Sequence, residues 1–312
     1  MWWTTKHQAP STKHQGSVEV VTIHGTLKTD HPLLIDILTK DPALERLKGI
    51  RQYGICDSIE SPLGIPVASI GYSRFHHSLG CMLGIAWYHD KEGEELLKAM
   101  VCAVEHDASH LPNSHSLDRL LRELGFLDVS HQDITLHAFL KKHGVEELLA
   151  KYNVSIEEIL PDKHPIQEQK SGVYNDRVDY VRYAAYMEKQ FDPAELNEIS
   201  NLLHFANAGW YFDGIEAAIK FAKIPLWNSR HRWGGPDSFV TSTCLGHAVI
   251  KLFELGKITA QELDFKLNDK TLWQRLVNAN DPYINNRLDQ IKHPANHFKV
   301  ITEEEFNHTT PH

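Results

Sequence analysis

Helix-start signatures recur along this chain and leave little room for a large sheet. Asp41-Pro42 and Asp192-Pro193 each set a capping carboxylate before a proline at the first helical position. Leu44, Leu47 and Ile50 follow the first at helical spacing, and Leu196, Ile199, Leu202 and Leu203 follow the second. Ser155 with Glu158, and Thr259 with Glu262, have the spacing of capping boxes. Ala99, Cys102 and Ala103 line one face of a helix predicted over about 93–105. Lys141-Lys142-His143-Gly144 and Gly256 read as helix C-termini. Strand character is confined to Val18–Ile23, rich in β-branched residues, and Ile65–Tyr72, which follows Pro62-Leu63-Gly64. The expected class is mostly α with a small β-hairpin element.

No Ser/Gly linker, low-complexity block or internal repeat divides the 312 residues. The expected organisation is a flexible polar N-terminus over 1–17 and a core unit over 18–190. A C-terminal helical part over 191–296 is expected to pack on that core, with a polar tail over 297–312. Lys plus Arg number 32 against 41 Asp plus Glu, so 32 − 41 gives a net charge of −9. Such a chain is a poor generic binder of nucleic acid or anionic membrane. No apolar run approaches the ~20 residues of a membrane span. The start, Met1-Trp2-Trp3-Thr4, lacks a basic segment followed by an apolar one. Cys56, Cys81, Cys102 and Cys244 are dispersed without a CxxC pair. They read as buried or free thiols in a reducing compartment, hence a cytoplasmic protein, or a nuclear one in a eukaryotic cell. Glycine patterns for dinucleotides, P-loop phosphates or a nucleophilic-serine elbow are missing.

The 21 histidines are the unusual feature. His106, Asp107, His110, His115 and Asp118 fall within thirteen positions after an apolar helical run. Neighbours on a helix diverge by ~100°, so His106 and Asp107 can converge on one ion where the helix ends. An imidazole nitrogen with a carboxylate oxygen suits a borderline divalent metal such as Fe, Mn, Zn or Ni. His110 follows His106 by four and shares its side. His115 and Asp118 are three apart, which lets a carboxylate orient an imidazole. Arg74-Phe75-His76-His77-Ser78-Leu79-Gly80 lies upstream, and His131-Gln132-Asp133 and Asn175-Asp176-Arg177-Val178-Asp179-Tyr180 lie downstream.

With these segments the chain resembles the HD-domain phosphohydrolase superfamily. The match is to the branch of deoxynucleoside triphosphate triphosphohydrolases that includes the sterile-alpha-motif-and-HD-domain enzyme, here without the SAM domain. Ile23-His24-Gly25, His31-Pro32-Leu33-Leu34 and Leu44 to Gly54 resemble the branch's opening pattern. The motifs are dense between 23 and 183 and weaker from Trp210 to about Leu276. The resemblance makes 18–190 the HD core and implies a metal held by His77, His106, Asp107 and Asp176. Mg joins Fe, Mn, Zn and Ni as a candidate ion. His110, His115 and His131 match histidines around the scissile phosphate, and Asp118 matches the partner of the second. Gln52, Arg74 and Tyr180 match substrate contacts, and Arg177 sits where the family has a basic residue. A homo-oligomer, dimer or higher, is a further implication.

Two His and two carboxylates would leave open positions for water and a phosphate oxygen, lowering the water's pKa from ~15.7 toward ~7. Arg74 and Arg177 would neutralise phosphoryl oxygens. His115 with Asp118, or His131, would protonate the leaving oxygen. The expected function is therefore metal-dependent hydrolysis of a phosphoester, with a nucleotide or related phosphorylated small molecule as partner. The chain departs from the family at Ser109 for a Gly, Leu111-Pro112-Asn113 for Gly-Pro-Phe, and Gln132 for a Glu. Ala184 stands where an Asp would bind the sugar 3′-hydroxyl. These departures keep two alternatives open: a nucleotide-binding regulator with little turnover, and a dinuclear-iron oxygenase recruiting His110 and His131. Elsewhere His24 reads as a structural turn residue and His247 as a core histidine. Trp210-Tyr211-Phe212 reads as aromatic packing, and Arg230-His231-Arg232-Trp233 as a surface loop.

Overall fold

A computed structural model describes residues 16–55, 72–88, 91–123, 131–164, 166, 173–206, 209–301 and 305. The chain opens with an antiparallel hairpin, β1 (Val18–Thr22) and β2 (Gly25–Thr29), in register from Val18↔Thr29 to Thr22↔Gly25. Val18, Val20 and Thr22 face inward and Glu19 outward, the period-2 alternation of a half-buried strand. Helices follow: α1 (Pro32–Lys40), α2 (Pro42–Leu47), α3 (Arg74–Tyr88), α4 (Gly93–Glu105), α5 (His115–Glu123), α6 (His131–Lys142) and α7 (Val145–Ala150). After two 3₁₀ turns come α8 (Asn175–Met187) and α9 (Pro193–Asn201), then a second hairpin, β3 (Leu203–Ala206) and β4 (Gly209–Phe212). The rest is α10 (Ile215–Asn228), a π-helical turn over Ser229–Trp233, α11 (Pro236–Glu254), α12 (Ala260–Phe265), α13 (Asp269–Asn278), α14 (Pro282–Lys292) and α15 (Pro294–His297). The fold is mostly α with small hairpins. Among the described residues no helix is long and apolar enough to cross a membrane.

The capping chemistry works as the sequence predicts. Asp41 accepts from the Ala43 N–H at 2.7 Å ahead of α2. Asp192 with Glu195, and Thr259 with Glu262, form reciprocal capping boxes on α9 and α12. Gly256, at φ +64°, ends α11 with the paired Gly256 N–H to Phe253 O and Lys257 N–H to Leu252 O bonds of a Schellman motif. Three readings need correction. Ser155 starts only a 3₁₀ turn, with Glu158 accepting from its N–H. Leu203 belongs to a strand, because Phe205 pairs with Trp210 and aromatic residues favour a pleated surface over another helical turn. Arg230–Trp233 is π-helical, not a surface loop: Arg232 bonds Glu188 at 2.8 Å and Trp233 packs on Tyr53 and Tyr180. The expected strand over 65–72 apart from Tyr72, the thiol Cys56 and the N-terminal fifteen residues lie outside the described residues, as does most of the tail.

Buried apolar side chains form three clusters. The first joins β1, α1–α4, α6 and α7. The second joins Leu111 and Leu117 to α11–α14. The third joins α8, α9, the second hairpin and α10. Gly80 and Gly84 of α3 let α8 approach closely: a Cβ at Gly80 would stand 1.7 Å from Asp179 Oδ1, and one at Gly84 2.3 Å from Asn175 Oδ1.

Candidate metal centre

The end of α4 resolves the divergence of adjacent side chains. Helical geometry runs to Glu105, His106 is the cap, and a turn over 106–109 follows. His106 and Asp107 are thereby both buried and turned toward α3 and α8. His77, from the first turn of α3, is fully buried. Its Nε2 lies 3.0 Å from Asp176 Oδ1 and 3.5 Å from Asp107 Oδ2. His106 Nε2 lies 3.5 Å from Asp107 Oδ1. Donor atoms of His77, Cys81, His106 and Asp176 lie within 4.8 Å of one another.

The ring partners set the tautomers. His77 Nδ1–H donates to Asp179 Oδ2 at 2.6 Å, and His106 Nδ1–H donates to Ala103 O at 2.8 Å. Each ring thus turns an Nε2 lone pair inward. His106 Nε2 is buried with no hydrogen-bond partner, and His77 Nε2 faces carboxylate oxygens, which repel a lone pair. A divalent cation answers both conditions, so this donor set fits a metal ion. Asp179 is the common anchor behind His77, because it also accepts from Tyr72 Oη and His24 Nε2. Burial alone would raise the Asp179 carboxyl, but His24 and His77 outweigh it and hold it well below the usual range. His24 is therefore structural in a specific sense: it clamps the residue that orients His77.

Asp107 faces the other way as well. Its Oδ2 accepts from Arg74 Nη1 at 2.7 Å. Burial raises this carboxyl, and the Arg74 guanidinium with the His106 and His110 rings more than reverses the effect. Arg74 is itself buried, with Nε donating to Ser114 Oγ at 3.0 Å and Nη2 to Gln52 O at 3.2 Å. His110 Nε2 lies 3.1 Å from Asp107 Oδ1, and burial followed by the Arg74 charge push its pKa down to about 3.

Asp107, Asp176 and Arg74 line a cavity of about 460 Å³. Gln52, His110, His115 and Tyr180 share its wall, so seven predicted site residues surround one space, with His77 and His106 beside its two carboxylates. Asp118 and His131 are brought close but stand behind the wall. Asp118 Oδ2 is 3.7 Å from His115 Nδ1, and Asp118 Oδ1 accepts from the His131 N–H at 2.7 Å. The His131 ring is turned to Asp264 Oδ1 at 3.2 Å. Arg177 lies over the Tyr174 ring, 4.8 Å from its centroid, and Nε donates to Tyr180 Oη at 3.0 Å.

The cavity also recruits residues to which sequence reasoning assigned no site role: Tyr53, Ser116, Arg122, Gln132, Asp133, Tyr174, Trp233, Ser238 and Ser242. Burial and the Asp118 and Asp107 charges raise the Asp133 carboxyl. Cys81 had a usable signal, being four residues after His77 on one helix face. Trp233 had a weak one, its place in a basic, aromatic stretch read as a surface loop; Ser238 and Ser242 had none, because only tertiary packing carries them to the site.

The sequence matches no protein-family model and no curated protein. The fold is similar to that of a phosphohydrolase from Bacteroides thetaiotaomicron, with a TM-score of 0.68 at 19% identity. The superposition covers 93% of this chain and 81% of that one. The chain therefore shares a helical architecture found in a phosphohydrolase, and a buried cluster able to hold a metal lies within it.

Proposed function

We propose that this chain is a metal-dependent phosphohydrolase of the HD type. Its substrate on this reading is a phosphorylated small molecule, a nucleotide or a close relative. The observation that carries the reading is the meeting of His77, His106, Asp107 and Asp176 at a pocket whose wall holds Arg74, His110, His115 and Arg122. Those four ligating side chains would hold the ion, with Cys81 Sγ beside them. A divalent ion bound there supplies a Lewis acid for a phosphoryl oxygen and lowers the pKa of a coordinated water.

The chain's own groups supply the rest. Arg74 uses three of its five N–H donors internally and keeps two for phosphoryl oxygens. His110 is neutral at physiological pH and offers a hydrogen bond without adding charge. His115 has an exposed ring, with Asp118 behind Nδ1, and is the group placed to protonate a leaving oxygen. Such acid catalysis contributes ~10²–10⁴-fold. His131 braces Asp118 through its N–H and reaches Asp264 through its ring. Tyr53, Tyr174, Tyr180 and Trp233 form an aromatic wall suited to the organic part of the substrate. Ala184 is buried and brings no carboxylate for a sugar hydroxyl. This favours recognition dominated by the phosphate end.

The test is incubation of the Mn²⁺-loaded protein with deoxynucleoside triphosphates, other nucleotides and phosphomonoesters, resolving products by anion exchange. Nucleoside plus triphosphate would make it a triphosphohydrolase. Orthophosphate would make it a phosphatase. Metal bound at one ion per chain with no product from any substrate would overturn the enzymatic reading in favour of a nucleotide-binding regulator.

A further inference from the structure

We infer that Asp269, on the C-terminal helical part, is a positioning residue for the Arg74 guanidinium. The inference rests on the proposed role of Arg74 toward phosphate. Asp269 is the first residue of α13, but it does not cap that helix. Asn268 does so, accepting from the Thr271 N–H at 3.0 Å. The Asp269 carboxylate is spent on two distant main-chain donors instead. Oδ2 accepts from Arg51 N–H at 2.9 Å, and Oδ1 from Asn113 N–H at 2.6 Å. Its own N–H donates to Gly49 O at 3.1 Å. Gly49 permits this approach, because a Cβ there would stand 2.6 Å from Asn268 Nδ2.

The two segments it joins both end on Arg74. Ser114 Oγ donates to Arg51 O at 2.6 Å and accepts from Arg74 Nε. Gln52 O, one residue along, accepts from Arg74 Nη2. Asn113 and Ser114 both hold left-handed backbone, at φ +58° and +49°. Asparagine enters that region more readily than most residues, but Ser114 beside it keeps it only where its surroundings impose it, and Asp269 bonds the first of the pair. One carboxylate thus ties residues 51–52 to residues 113–114, and these carry two of the three acceptors that aim the guanidinium. Asp107 is the third.

The test uses the whole chain and three variants, D269A, D269N and N268A, loaded with diamagnetic Zn²⁺ for NMR and with Mn²⁺ for phosphate binding. The first readout is hydrogen exchange at the Arg51 and Asn113 amides and at the Arg74 Nε–H, followed by NMR. D269A should speed all three, and D269N, which keeps one acceptor oxygen, should fall between D269A and the parent. N268A removes a helix cap, so it should lower Tm and leave Arg74 Nε–H exchange unchanged. The second readout is orthophosphate binding by calorimetry. D269A should weaken it by about tenfold, the lower end of what losing a group that orients a metal-ligating side chain costs. Unchanged Arg74 Nε–H exchange in D269A would overturn the inference, as would equal losses in D269A and N268A at matched loss of Tm. A parent protein that binds no orthophosphate would count against the proposed function, while Arg74 exchange would still decide the positioning role.

Discussion

Replacing Gly80 by alanine tests whether the α3–α8 contact sets the candidate metal centre. Two effects oppose. Alanine in a helix interior is favoured over glycine by about 1 kcal/mol. Against this, the new Cβ would stand 1.7 Å from Asp179 Oδ1 and 2.6 Å from Cγ. Asp179 cannot swing away freely, because His24, Tyr72 and His77 all bond to it. Overpacking costs about 1–3 kcal/mol, and one charge-assisted hydrogen bond lost from Asp179 costs about 1.5–3 kcal/mol more. The expected net loss is about 1.5–5 kcal/mol. The His77 ring loses its orienting partner, so metal affinity should fall about 10–100-fold. The assay pairs thermal unfolding with a Mn²⁺ competition titration against a fluorescent chelator. D179N is the comparison: it weakens the acceptor without a clash, so it should lose metal affinity at smaller cost in Tm. A G80A protein with raised Tm and parental metal affinity would refute the reasoning.

The remaining predictions concern the pocket and its supports. His106→Ala should lose both bound metal, by elemental analysis, and hydrolysis; retention of both would remove it from the ligand set. Asp107→Ala strands the buried Arg74 charge, so it should cost about 3–5 kcal/mol in urea unfolding besides losing metal. Asp118 is pushed down to about 2 from 3.8, where burial raises it but the His115 ring and the His131 N–H prevail. A depressed carboxyl stabilises the fold above its unfolded value and loses that contribution as pH falls through its folded one. The contribution is roughly 2 kcal/mol, so acid unfolding of Asp118→Asn between about pH 4 and 2 should be flatter than the parent's. Trp233→Ala should raise KM for an organic phosphate about tenfold, because this half-buried ring gains at most the low end, ~1.5 kcal/mol, of a full side-chain burial. Inhibition by orthophosphate should stay unchanged, and equal weakening of both would place Trp233 at the phosphate end.

Local chemistry made part of this fold legible. Asp41, Asp192, Thr259 and Gly256 act where their own neighbours tell them to, so sequence spacing suffices to find them. The second hairpin was hidden because Leu196, Ile199, Leu202 and Leu203 keep helical spacing past the point where the helix stops. Only the pairing of Phe205 with Trp210 ends the helix there. At the site, His77, His106, Asp107 and Asp176 stood out because chemistry-bearing residues were dense on short stretches. Asp179 sat in the same stretch, but its role depends on Gly80, His24 and Tyr72, which only packing brings together. Asp269 was invisible for the same reason, being 218 positions from the Arg51 amide it holds.

The three apolar clusters explain why the pocket wall was harder to read than the ligating residues. Arg74 comes from α3, in the first cluster. Ser238 and Ser242 come from α11, whose apolar face belongs to the second. Tyr180 and Trp233 pack on the third. The cavity is the space left where three separately packed units meet, so no single stretch of sequence encodes its shape. The proposed ligands differ: His77 sits on α3, His106 and Asp107 at the end of α4 in the first unit, and only Asp176 crosses from α8. That crossing, together with the packing of α3 on α4, sets whether the four side chains meet. Gly80 and Gly84 lie there, on the face of α3 that meets Asp179 and Asn175. A small-residue groove would thus do for the proposed metal centre what we infer Asp269 does for Arg74. Each ties a side chain whose chemistry is readable in the sequence to a neighbour that only the fold supplies.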